Sequence, residues 1–264
     1  MPVHSLYKDF FRFIEAFDKG EDAFSAYQEY YFKPHEKFLT SYWKYFKHFD
    51  EELIEKRVRV IKKGDYALLE SILMVERPEE LCRNALKRCF ETAETFGAES
   101  SRVPEPDIYF FIGFFSADGV TFMLDDVPVI GFGLERYKNL REMPILIAHE
   151  FSHYLGKIKP GFFRTKKTYQ KGTLGEFLLS EGLAFHFSMK AFPQRRIMEH
   201  LFLRRDVFNW CVEEEEMLMK EIEPRLDQAI EENSVYDIER EKDLVPRSLN
   251  YAAFKLAENL LITS

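Results

Sequence analysis

A mostly helical α+β fold with one small sheet is what this sequence predicts, and three observations carry that expectation. Apolar residues recur at three- and four-residue spacing over most of residues 6–97 and again from Leu140 onwards. Between residues 108 and 133 stand three short runs rich in β-branched and aromatic residues. Turn-forming residues separate those runs, and helices flanking a small sheet define the α+β class.

The helical first part follows from Phe10, Phe11, Phe13, Ile14 and Phe17, and later from Leu68, Leu69, Ile72 and Leu73. Asp18-Lys19-Gly20, Lys63-Gly64-Asp65 and Arg77-Pro78 mark expected helix boundaries. The aromatic stretch over residues 27–49 is read as helices packed through Phe and Tyr rather than as a ligand groove. A Pro-bearing segment at residues 100–106 is the expected internal boundary, dividing a helical region over 1–100 from a domain over 101–264. Strands are then expected over 108–115, 120–124 and 129–133, forming an antiparallel meander with a turn at Ser116-Ala117-Asp118-Gly119. From Leu140 the pattern is helical again, interrupted by a loop over 156–172 and by Pro193, Pro224 and Pro246.

Composition excludes several classes. The chain has 264 residues, 46% hydrophobic and 16% aromatic, which permits a sizeable core and rules out disorder. Its 37 Lys+Arg against 45 Asp+Glu leave a net charge of −8, so a nucleic-acid partner is not expected. Apolar runs fall short of the roughly 20 residues that cross a bilayer, so no membrane partner is expected either. Residues 1–9 show no cationic stretch leading into an apolar one, and no secretory signal is expected. Three cysteines do not form a disulfide framework. Cys82 and Cys89 on one helix would lie about 10.5 Å apart, and they and Cys211 read as small buried residues in a reducing cytoplasmic compartment.

The chemistry concentrates at Ile147-Ala148-His149-Glu150-Phe151-Ser152-His153-Tyr154, which contains His-Glu-x-x-His. A random ordering of this composition yields that pattern about 0.02 times. On a helix, residues i and i+4 lie about 6 Å apart on one face, close enough for His149 and His153 to hold one Zn²⁺. Glu150 lies one position round from His149 and suits a general base. Pro144 fits the first turn of this helix and Gly156 its end. Its apolar flanks on nearly every side imply burial, where two histidines and a glutamate need partners.

A third ligand is sought in residues 173–185. Glu176, three residues after Thr173, fits a capping box and so has a structural role. Glu181 falls among Leu174, Phe177, Leu178, Ala184 and Phe185 on an apolar helical stripe, where a carboxylate needs a metal or a cationic partner. Glu181 is therefore taken as the third ligand. Gly182 and Ala184 are small, which would let this helix approach the His-bearing one closely.

His149-Glu150-x-x-His153 followed 28 positions later by Glu181-Gly182-Leu183-Ala184 resembles the gluzincin zinc metallopeptidases. More narrowly it is similar to predicted Zn-dependent proteases that pair a His-Glu-x-x-His helix with a Glu-Gly-Leu-Ala helix. The resemblance covers about residues 107–262 and implies a zincin-like catalytic core, one Zn²⁺ on His149, His153 and Glu181, and water activated by Glu150. It implies a peptide or protein substrate and makes Tyr251 a candidate oxyanion donor. Thermolysin-like gluzincins commonly carry an acidic residue four positions after the glutamate ligand. This chain has Phe185 there, so the partner of a metal-bound histidine must come from elsewhere. Two alternatives stay open: a zinc hydrolase acting on something other than peptides, and a non-catalytic binding or scaffold protein that keeps a zincin core.

The other histidines are not expected to be ligands: His186 points about 140° away from Glu181, His200 is expected in a solvated stretch, and His4, His35 and His48 have no i+4 partner. The loop over 157–171 holds six cations and no acid, and can be read as a lid attractive to acidic peptides or as a solvated loop. The run 213–216, four consecutive glutamates, is expected on an exposed helix face.

Overall fold

The computed structural model describes residues 2–46, 50–97, 102–114, 117–135, 137–230, 235–242 and 244–262. Ser100 and Ser101 of the expected boundary, Ser116 of the expected turn, and His48 lie outside the described residues. The α+β class holds: helices dominate and one four-stranded sheet accompanies them. Two compact units are distinguished, residues 1–84 with 104–144 and residues 85–103 with 145–264.

In the first unit, strand β1 (Val3–Ser5) precedes helices α1 (Tyr7–Asp18) and α2 (Ala23–Tyr27). The chain continues through a wide turn at Gln28–Phe32 and a tight one at Lys33–His35 into α3 (Glu36–Tyr45), then α4 (Glu51–Arg59), α5 (Ala67–Glu76) and the start of α6 (Pro78–Thr95). The expected boundaries hold. Gly20 and Gly64 adopt φ of 104° and 84°, and Arg77 ends α5 in the left-handed region before Pro78 opens α6. Glu79 of α6 fastens this unit together, because its Oε1 accepts hydrogen bonds from Ser5 Oγ at 2.5 Å and Tyr7 Oη at 2.9 Å and pairs with Lys8 Nζ at 2.9 Å.

The sheet requires a correction. Strands β2 (Ile108–Phe111), β3 (Gly119–Leu124) and β4 (Val127–Gly133) do not form an antiparallel meander; the order is β1-β2-β4-β3, with β1–β2 and β2–β4 parallel and β3–β4 antiparallel. Asp125 and Asp126, both at positive φ (49° and 63°), make the two-residue turn that forces the β3–β4 hairpin. Strand β4 lies between β2 and β3, parallel to the first and antiparallel to the second. As a result β4 is paired on both sides, and the edges are β1 and β3. Aromatic packing covers the sheet: Phe38 and Tyr42 of α3 lie against Tyr109, Phe111 and Phe122. The buried Tyr31 hydroxyl both donates to Ile112 O at 3.0 Å and accepts from Ile112 N at 2.9 Å.

The second unit is helical: the remainder of α6, α7 (Met143–Ile158), α8 (Leu174–Ala191), α9 (Ile197–His200), α10 (Arg205–Glu213), α11 (Glu215–Ile222), α12 (Val235–Glu241) and α13 (Ser248–Leu260). Phe151 of α7 packs on Phe90 of α6 and Phe187 of α8. Helix α7 runs two residues beyond Gly156, since no positive φ occurs until Gly161. Thr173 caps α8 as expected, its Oγ1 accepting from Glu176 N, while Glu176 Oε2 accepts from Gly172 N at 2.7 Å, one residue further out than in a regular capping box. The small residue Gly182 admits α13 rather than α7: a Cβ there would overlap the Ala253 carbonyl oxygen and lie 2.6 Å from Ala257 Cβ. The buried Glu239 carboxylate accepts from Arg247 N at 2.8 Å and Leu249 N at 3.0 Å, capping α13 from α12. Cys82, Cys89 and Cys211 are buried free thiols. No helix among the described residues is long and apolar enough to cross a membrane.

Candidate metal centre

His149 and His153 stand one turn apart on α7, held by the buried residues Ile145, Ile147, Ala148 and Phe151 around them. Glu181 stands midway along α8. The two Nε2 atoms are 3.1 Å apart; His149 Nε2 is 3.2 Å from Glu181 Oε2, and His153 Nε2 is 3.2 Å from Glu181 Oε1. Among the described residues this is the His/Cys/Asp/Glu group that could hold a metal ion. The donor set fits Zn²⁺, because ligand atoms about 2.0–2.1 Å from one tetrahedral ion are separated by about 3.3–3.4 Å. Glu181 keeps a quarter of its side-chain surface accessible.

Electrostatics bind the cluster. Burial alone would raise the Glu181 carboxyl, but the two histidines beside it outweigh that and hold it far below its ordinary value. Burial alone would lower His153, but the Glu181 charge, joined by that of Glu150, leaves its pKa raised. Glu150 is buried at 6% exposure next to this pair, and its charge reaches His153.

The two imidazoles are oriented by different means. His153 Nδ1 is 3.2 Å from Ser180 Oγ, a residue the sequence did not single out because a serine on an exposed helix face carries no signal of its own. His149 Nδ1 is buried with no hydrogen-bond partner, and its ring is held by Phe185 at 4.9 Å and Phe202 at 5.5 Å. Phe185 occupies the position where an acidic residue was missed. Its apolar ring fixes His149 by packing, with no acceptor supplied.

Tyr251 lies on α13, buried at 4% exposure, and its hydroxyl donates to Glu215 Oε2 at 2.6 Å; burial, then Glu215, raise its pKa. The acidic run is not wholly solvated: it spans the α10–α11 junction, and Glu215 turns to Tyr251 and Lys255. His186 bonds Phe254 O at 3.2 Å and stacks on its ring. His200 is buried at 1% exposure rather than solvated, bridging Ser188 Oγ and Phe192 O, and burial lowers its pKa. His4 and His35 pair with Asp107 and Asp9.

Comparison with known proteins adds one finding. Residues 124–227, which include His149, Glu150, His153 and Glu181, match the family model described as Predicted Zn-dependent protease (DUF2268). No curated protein and no solved structure matches the chain. Over that span the chain is similar to a family of predicted zinc proteases.

Proposed function

We propose that this chain is a zinc-dependent metallopeptidase in which His149, His153 and Glu181 hold one Zn²⁺ and Glu150 is the general base. The observation that carries the reading is the convergence of two Nε2 atoms and one carboxylate within 3.2 Å of each other, although His153 and Glu181 stand 28 positions apart on two different helices. Zinc in such a donor set supplies a Lewis acid that acidifies water and polarises a carbonyl. Glu150 takes the proton of the attacking water and passes it to the leaving amine. The ring of Phe185 and the Ser180 hydroxyl keep the imidazoles aimed, so that little reorganisation accompanies the reaction. Tyr251 completes the reading as an oxyanion donor, a role that requires its hydroxyl to leave Glu215.

Glu150→Gln tests this reading, because the amide keeps the side chain's shape and removes its basicity. The variant is expected to bind one zinc per chain by metal analysis and to lose roughly 10²–10⁴-fold in peptide turnover. Undiminished turnover refutes the mechanism.

A further inference from the structure

The last turn of α7 and the loop that leads from it to α8 concentrate positive charge on a chain whose net charge is −8: Lys157, Lys159, Arg164, Lys166, Lys167 and Lys171, with no acid among residues 157–171. Two of these are engaged, Lys166 Nζ on Asn259 O at 3.0 Å and Lys167 over the Tyr169 ring at 4.4 Å. The other four are exposed and have no acidic partner among the described residues. The loop is not a free lid. Lys166 N donates to Leu260 O at 2.8 Å, Ile262 N to Arg164 O at 2.9 Å, and Thr165 bridges Leu261, so its middle is strapped to the end of α13.

Position connects this charge to the metal centre. Lys157 is four residues beyond His153 on α7, which places it on the same face about 6 Å further along the helix. An extended peptide advances about 3.3 Å per residue, so 6 Å corresponds to about two residues of substrate.

We infer that this site selects peptides bearing an acidic side chain two or three residues from the scissile bond, with Lys157 the specificity-determining residue and the strapped basic loop its support. The inference rests on the peptidase reading above and adds the substrate class. Because Lys157 meets the substrate equally in the ground and transition states, the preference resides in KM and leaves kcat nearly constant. Because the contact is solvated, it weakens with salt.

The test is a peptide library with blocked ends carrying Glu, Ala or Lys at each position up to four from the cleaved bond. The zinc-loaded wild type, Lys157→Glu and Lys171→Glu are each assayed at low and high ionic strength. Wild type is expected to show about fivefold lower KM for Glu peptides than for Lys peptides at one such position, with the preference shrinking in high salt. Lys157→Glu is expected to reverse that preference at unchanged zinc content, and Lys171→Glu to weaken it. Equal KM across the three peptides in wild type overturns the inference, as does a preference untouched by Lys157→Glu; in both cases the peptidase reading survives. No cleavage of any peptide by the zinc-loaded protein overturns the peptidase reading itself, and the inference with it.

Discussion

Ser180 and Phe185 show how unequal the support of two neighbouring imidazoles is. A histidine that offers Nε2 to a metal carries its proton on Nδ1, and for His153 that proton has an acceptor in Ser180 Oγ at 3.2 Å. For His149 it has none, and the aromatic rings of Phe185 and Phe202 do the positioning. Ser180→Ala is expected to weaken zinc binding about tenfold in a competition titration with a chelator, at the lower end of such effects because Ser180 is exposed and water can replace its hydroxyl. Ser180→Thr is expected to restore the affinity; equal affinity in wild type and Ser180→Ala refutes the role. The grouping of His149, His153 and Glu181 was legible in the sequence because i+4 spacing and an acid on an apolar stripe are local patterns. Ser180 was not, because its partner is 27 positions away.

At the scale of elements, α8 carries Glu181 and is itself placed by α13. Gly182 is the hinge of that placement, since any side chain there meets the α13 backbone at Ala253. Gly182→Ala is expected to cost about 1–3 kcal/mol in denaturant unfolding, because the obstruction is main chain and cannot rotate away. The same change moves Glu181 relative to α7, so zinc affinity is expected to fall with stability; an unaltered unfolding midpoint contradicts this account. Helix boundaries at residues 18–20, 63–65 and 77–78 were legible because Gly and Pro act locally. The sheet order was not. Its outcome depends on β4 entering between β2 and β3, a choice made by chain length and packing that alternation does not encode.

For the whole molecule, a bound ion stabilises the folded state by mass action. Zinc at 100 times its dissociation constant is expected to add about 2.7 kcal/mol, seen as a higher thermal midpoint that a chelator reverses and Glu181→Ala abolishes. The response carries a pH signature. His153 titrates above its ordinary 6.5 because Glu181 outweighs burial, so as pH falls through that raised value protons compete with the metal and the zinc response fades. The metal-free protein runs the other way. The His153–Glu181 pairing stabilises it fully below the unfolded histidine's pKa and is lost as pH rises through the raised one. The lowered Glu181 makes its own contribution above the ordinary carboxylate range and loses it in acid. Thermal scans with and without zinc from neutral to mildly acidic pH check both signs, and a zinc response that is flat across that range contradicts the assignment.

Sequence alone determined the fold class and the helix that carries His149 and His153, and it singled out Glu181 as the acid to join them, because each is written as a short-range periodicity or as a charge on an apolar stripe. Tertiary structure decided the rest: that the sheet is mixed, that Gly182 faces α13, that Ser180 meets His153, that His200 is buried, and that the basic loop is strapped to the end of α13. Each of these depends on residues far apart in the chain meeting one another. Packing and loop closure set such meetings collectively, and no single segment specifies them.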